Sequence, residues 1–150
     1  MKLFVKEKAD IPETEVHIWC EKKDQEVMNI INSIQSVGQT IPGKKENGDT
    51  VPLSMHQILY FEAVDKKVFA CQQDDIYEIG HKLYEIEVIC NSRRFLRISK
   101  SVIVNLNCIK KIQAEEGRRL KLLLKNDEWL MVSRMYVNDL KIRLGMKGGK

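Results

Sequence analysis

The sequence predicts a mainly β fold, α+β overall, with short helices and a small N-terminal βα extension. From residue 58 onward, apolar residues occur in short and often alternating runs that are typical of β-strands. Before that point, the one segment with helical periodicity follows Asp24. The 150 residues are enough for one domain and an extension. We therefore predict an extension at residues 1–45 and a main domain at residues 46–150.

The extension is predicted to hold one strand and one helix. Glu15–Cys20 alternates in part, which predicts the strand. Asp24 can cap the helix and Gly38 can end it. The helix presents an apolar stripe that predicts packing on the main domain or, alternatively, a dimer surface. Its members are Val27, Ile30, Ile31, Ile34 and Val37.

The main domain is predicted to consist of strands with two short helices. A hairpin turns at Asn47-Gly48, between Thr40–Glu46 and Thr50–Leu53. One helix is predicted at His81–Ile89, with Leu83, Ile86 and Ile89 facing inward. The other is predicted to start after Ser133 and to end at Gly145. Its inward residues are Tyr136, Val137, Leu140 and Leu144. The other predicted strands are Ile58–Ala63, Lys67–Gln72, Ile76–Ile79, Phe95–Ile98, Val102–Leu106, Ile109–Ala114, Arg119–Leu124 and Glu128–Val132.

Composition argues against several classes of protein. No segment has the apolar length of a signal peptide or a membrane span, which predicts a cytoplasmic protein. The histidines are scattered, Asp74-Asp75 is typical of a turn, and no phosphate loop or catalytic motif occurs, so we expect no enzyme and no cofactor. The cysteines match no zinc or redox spacing and are predicted to be small core residues. They are Cys20, Cys71, Cys90 and Cys108.

The net charge of +4 conceals an asymmetry between the two parts of the chain. Residues 1–90 hold 10 Lys/Arg against 16 Asp/Glu, a net charge of −6, whereas residues 91–150 hold 15 against 5, a net charge of +10. Such a surplus favours a polyanionic partner, with a merely solvated basic surface as the alternative. The Lys and Arg residues of the basic part, residues 91–150, cluster at predicted loops or at the ends of predicted elements. One further basic pair lies in the acidic part, residues 1–90. These clusters are Lys66-Lys67, Arg93 to Ser101, and Ser133-Arg134.

Three stretches of the chain resemble the LytTR DNA-binding domain, over about residues 45–145. They follow the family patterns I-x-Y-I/F-E, F-x-R-I/C-H-R/K-S-x-I-V-N and V-S-R-x-Y in the same order and spacing. The resemblance implies an elongated fold of stacked antiparallel sheets whose loops enter neighbouring major grooves, often at tandem direct repeats in promoters. The stretches are Ile58–Ala63, Phe95–Asn105 and Val132–Tyr136.

The resemblance also implies roles for individual residues. Lys100 and Arg134 match base-contacting positions. Lys66, Lys67 and Val68 cover a loop with a further groove contact, although the Val68 side chain cannot hydrogen-bond a base.

Two more positions match those that contact or line the DNA backbone, namely Arg97 and Ser101. Ser99 departs from the family pattern because it stands where a histidine is usual.

About 45 residues precede the resembling segment, too few for the receiver domain that many family members carry. The resemblance therefore implies a stand-alone bacterial transcription regulator, bound to double-stranded DNA as a homodimer, with a small membrane protein as regulatory partner. The competing hypothesis is a non-catalytic module that binds an acidic protein. An RNA-binding module is disfavoured because aromatic residues are not interleaved with the basic clusters.

Overall fold

The computed structural model describes residues 1–36, 39–90 and 94–146, which form three α-helices, three short 3-10 helices and ten strands. None of the helices in these ranges has the length and apolar character needed to cross a membrane. The α-helices are α1 (Gln25–Ser36), α2 (Leu83–Ile89) and α3 (Arg134–Arg143). The strands are β1 (Thr40–Lys44), β2 (Thr50–Ser54), β3 (Tyr60–Val64), β4 (Lys67–Cys71), β5 (Ile76–Ile79), β6 (Phe95–Arg97), β7 (Val102–Asn105), β8 (Ile109–Glu115), β9 (Arg119–Leu124) and β10 (Trp129–Val132).

The strands form two antiparallel sheets, which confirms the predicted fold class. The larger sheet has seven strands in the order β2-β1-β5-β4-β3-β7-β6, and the smaller has three in the order β10-β9-β8. Strand β1 pairs with β2 over Thr40–Lys44 and also with β5. The larger sheet therefore begins at Thr40, and the predicted hairpin around Asn47-Gly48 is its edge.

Two hydrophobic cores lie on opposite sides of the larger sheet. Phe61 and Ile103 face the first core, which also contains Ile86 of α2. Their sequence neighbours Tyr60 and Val104 face the second core, because side chains alternate along a strand. The three-stranded sheet and α3 complete the second core through residues such as Leu122, Leu124, Val137 and Leu140.

The helix α2 departs from its predicted inward face at one position. Leu83 and Ile86 are buried as predicted, but Ile89 is 43% exposed. Cys90, one residue later, is buried instead. Residues 83, 86 and 90 follow the three-and-four spacing of one helix face, whereas residue 89 lies about 100° away from residue 90.

The last hairpin and the last helix agree with the sequence analysis. Leu120, Leu122 and Leu124 are all buried on one face of β9, and Lys121 and Leu123 between them lie half-buried on the other face. In α3, Val137 and Leu140 are buried and the flanking stripe residues Tyr136 and Leu144 pack against the same core.

The N-terminal extension differs most from its prediction. Glu15–Cys20 forms no strand and is exposed throughout, so the predicted strand and the predicted core position of Cys20 are both wrong. No strand of the described residues pairs with this segment, and a strand needs a partner for its backbone N–H and C=O groups. The other three cysteines are buried as predicted, and burial raises the pKa of the Cys71 thiol to about 11.

The helix α1 forms where it was predicted, with the predicted cap. The Asp24 carboxylate accepts a hydrogen bond of 3.0 Å from the Val27 backbone N–H. The apolar stripe residues are half-buried except Ile34, which is exposed, and within the described residues none of them belongs to either core or packs against it. The predicted stripe member Val37 and the predicted stop Gly38 lie outside the described residues.

A buried polar side chain, Asn105, lies at the end of β7 and belongs to one of the stretches that resemble the family patterns. Asn105 is fully buried, and its amide donates a hydrogen bond of 2.9 Å to the Ile58 carbonyl. Its side-chain oxygen accepts one of 3.0 Å from the Asn107 N–H. The residue therefore fixes the path of the chain from β7 towards β8.

Candidate nucleic-acid interface

The sheet pairing brings the three sequence-predicted basic clusters to one end of the molecule. Glu62 of β3 pairs with Val102 of β7, so the turn after β3 lies beside the loop before β7. The Ala63 N–H donates a hydrogen bond of 2.8 Å to the Ser101 carbonyl. The Ser133 N–H in turn donates one of 2.9 Å to the Ile98 carbonyl, which places the start of α3 at the same loop.

We call this surface the basic end, defined by the β3–β4 turn, the β6–β7 loop and the β10–α3 junction. Its predicted site residues are Lys66, Lys67, Arg97, Ser99, Lys100, Ser101 and Arg134. Arg93, which belongs to one of the predicted clusters, lies outside the described residues.

The β3–β4 turn presents Lys66 at its tip. Asp65 and Lys66 both have positive φ angles, 49° and 69°, as the central residues of a tight hairpin turn of this kind require. Lys67 lies 3.6 Å from the Glu78 carboxylate, in a pair exposed enough to contribute little to stability. Val68 is buried, so this side chain faces the core and is not available to a base.

The β6–β7 loop is held by Arg97. The Arg97 Nε donates a hydrogen bond of 2.9 Å to the Ser99 carbonyl, and its terminal nitrogens bind the Lys100 carbonyl and the Glu87 carboxylate of α2. The Ser99 hydroxyl accepts a hydrogen bond of 3.2 Å from the Ser101 N–H. These contacts fix the backbone on both sides of Lys100, whose own side chain is exposed.

The β10–α3 junction presents Arg134 as the exposed first residue of α3. Ser133 precedes the helix with extended backbone angles, but its side chain makes no capping hydrogen bond. The first N–H groups of a helix carry a partial positive charge, which adds to the charge of Arg134. This junction therefore suits an anion or an electron-rich base edge.

Sequence reasoning missed a fourth basic connection, the turn between β8 and β9. Val132 of β10 pairs with Leu120 of β9, so this turn lies at the basic end beside the start of α3. Gly117 and Arg118 have left-handed φ angles of 70° and 62° at the turn. Together with α3 the turn encloses a cleft of about 460 Å³, which we call the α3 cleft. Its polar lining is Glu115, Arg118, Arg119, Arg134, Asn138 and Lys141.

The Arg118-Arg119 doublet was the available signal for this cleft. Arg119 is exposed at the start of β9. The doublet alone could not show that this turn meets α3, because that contact depends on the register of β9 against β10.

The opposite end of the sheets carries acidic turns. Asp74 and Asp75 lie in the connection between β4 and β5, as predicted, and Asp127 and Glu128 lie in the turn between β9 and β10. Lys110 pairs with Asp127 at 2.8 Å there. The three basic clusters therefore lie at the end of the sheets opposite to these acidic turns. Within the described residues, no group of three or more His, Cys, Asp or Glu side chains could hold a metal ion.

Comparison with known proteins gives consistent matches. The family model described as LytTr DNA-binding domain matches residues 48–145. Uncharacterized HTH-type transcriptional regulators of Staphylococcus aureus strains bovine RF122 / ET3-1 and NCTC 8325 / PS 47 are each 28% identical over 148 residues, which is 97% of this chain and 99% of theirs.

Among solved structures, the chain is similar to a LytTr DNA-binding domain of a putative methyl-accepting/DNA response regulator from Bacillus cereus. The match has a TM-score of 0.68 and 28% sequence identity, and it covers 71% of this chain and 97% of that one.

Proposed function

The chain belongs to the LytTR DNA-binding domain family, and from that premise we propose that it is a transcription regulator that binds particular double-stranded DNA sequences. In this proposal the loops of the basic end enter the major groove, where each base pair presents a distinct set of donors and acceptors. The observation that carries the proposal is the convergence of three basic loops at one end of the sheets.

The proposal divides the site residues by their surroundings. Lys100 and Arg134 are exposed at neighbouring loops and contact base edges. Lys66 and Lys67 supply the contact at the β3–β4 turn, because the buried Val68 cannot. These cations lack a close carboxylate among the described residues, apart from the exposed pair of Lys67 with Glu78.

Arg97, Ser99 and Ser101 have a supporting role in the proposal. The Arg97 guanidinium binds two carbonyls of its own loop, and only 23% of its side chain is exposed. It therefore shapes the loop that presents Lys100 and lines the DNA backbone with its remaining surface. Serine at position 99 is shorter than the usual histidine, so more of the base discrimination falls to Lys100.

The arrangement of the helices favours loops over a recognition helix. Five strands separate α1 from α2, and five separate α2 from α3. A helix-turn-helix joins two helices through a turn of a few residues. In this proposal the loops of the basic end and the first residue of α3 approach the bases, and no helix lies along the groove.

The proposal includes a second copy of the chain bound beside the first on DNA, and it places both in the cytoplasm. The regulator of the pair would be the small membrane protein that the family resemblance implies. The apolar stripe of α1 supports the second copy, because none of its described residues packs against either core. Burying such a stripe between two copies would remove apolar surface from water.

Selection of bound duplexes from a random library tests the proposed function. We expect enrichment of one motif, repeated directly if two copies bind side by side. The control is a Lys100→Gln, Arg134→Gln variant, whose selection should yield no such motif. An unenriched library from the wild-type protein, together with binding to acidic proteins, would instead establish the competing interaction module.

A further inference from the structure

The α3 cleft holds more positive charge than its own acidic group can balance. Its cations are Arg118, Arg119, Arg134 and Lys141, and its one carboxylate is Glu115. Lys121, on the neighbouring part of β9, lies 3.3 Å from the Glu115 carboxylate and pairs with it.

The cationic side chains of the cleft differ in the hydrogen-bond and ion-pair partners that they have. The Arg119 Nε donates a hydrogen bond of 3.3 Å to the Glu116 carbonyl. Arg118, Arg134 and Lys141 have no carboxylate within 4.0 Å among the residues that the structure describes. The cleft therefore keeps an unbalanced positive field directly beside Arg134.

The shape and position of the cleft identify its occupant. Cations line it from the β8–β9 turn, past the first residue of α3, to Lys141 two turns further along the helix. Residues 134 and 141 are separated by about 10 Å along the helix axis, so an extended polyanion can bind cations at both ends of the cleft, whereas a single small anion reaches only one end. The cleft is also continuous with the basic end through Arg134, so DNA bound at the basic end would bring its phosphates to this cleft.

We propose that the β8–β9 turn and α3 form a fourth DNA contact, in which Arg118 and Lys141 bind backbone phosphates beside the bases contacted by Arg134. This inference rests on the proposed function and extends it to residues outside the three predicted loops. Phosphate contacts are the same for every sequence, so the cleft contributes affinity and orientation but no discrimination between sequences.

The test is a titration with salt of DNA binding by an Arg118→Gln, Lys141→Gln variant. Fluorescence anisotropy measures the binding constant K at each salt concentration. Loss of two phosphate contacts should reduce the slope of log K against log salt by about 1.8, since each contact contributes about 0.9. Affinity should fall about 10- to 30-fold at physiological salt by the same relation. The selected duplex and a scrambled duplex should lose affinity by the same factor.

A matched control removes two charges at the opposite end, with Lys110→Gln and Lys125→Gln. It has the same net charge as the test variant, so it should show only the small effect of the overall field. A test variant that behaves like the control would overturn the inference, and so would a change in the ratio between selected and scrambled duplexes.

The two proposals fail in different ways. If the wild-type protein shows no preference among duplexes, the proposed function fails, whereas the difference in salt slope between the test and control variants still decides the inference. Circular dichroism of both variants verifies that each is folded, which is expected because the substituted side chains are polar surface groups.

Discussion

Replacing Lys100 and Arg134 by alanine is expected to remove most of the preference for the selected DNA sequence. A well-placed cationic side chain on a base edge contributes about 1–3 kcal/mol of discrimination, or about 5- to 150-fold. Lys100 lies on the β6–β7 loop and Arg134 begins α3, and the Ser133–Ile98 backbone hydrogen bond of 2.9 Å joins these two segments. We expect the double variant to lose more discrimination than either single one, measured by competition between selected and scrambled duplexes.

The control for this prediction is Lys125→Ala, which removes one exposed charge from the acidic turn at the opposite end. It should leave the competition ratio of the wild-type protein unchanged. The assignment of Lys100 and Arg134 to base contacts is wrong if their double variant keeps that ratio while binding both duplexes more weakly. Such a result would make both of them phosphate contacts only.

Replacing Phe61 by alanine is expected to lower the free energy of unfolding by about 3–5 kcal/mol. Phe61 is fully buried in the middle of the larger sheet, and its ring centroid lies 5.6 Å from that of Phe95. Its removal leaves a cavity between β3 and α2 that the surrounding strands cannot fill. Since domains are stable by only about 5–15 kcal/mol, a large part of the total would be lost. Urea denaturation followed by circular dichroism measures the change.

Phe4→Ala is the matched control for this substitution, because it removes the same side chain from a position that is 85% exposed. Its free energy of unfolding should stay within about 0.5 kcal/mol of the wild-type value. Equal destabilisation by the two variants would show that the first core does not support the sheet as described.

Alternation and periodicity predicted most of the fold correctly, for a physical reason. In β9, the buried and exposed residues alternate along the strand, so each side chain reports its own face. In α3, Val137 and Leu140 reported the inward face in the same way. Where the face that each side chain occupies follows from the local pattern of apolar and polar residues, the sequence was sufficient to predict the element and its buried face.

The errors arose where the structure depends on distant partners. The alternation of Glu15–Cys20 could not show that no other strand would pair with it. The β8–β9 turn was missed because its neighbour α3 is set by strand register. Resemblance supplied the position of Arg97, but not the fact that its guanidinium binds the carbonyls of its own loop.

The most direct test of the central claim is the competition ratio of the wild-type protein between its selected duplex and a scrambled duplex of equal length and composition. Equal composition and length give both duplexes the same phosphate charge, so the ratio isolates base recognition at the basic end. At physiological salt we predict preference for the selected duplex by a factor of about 10³ or more, the usual range for sequence-specific proteins. Equal competition by the two duplexes would contradict the account.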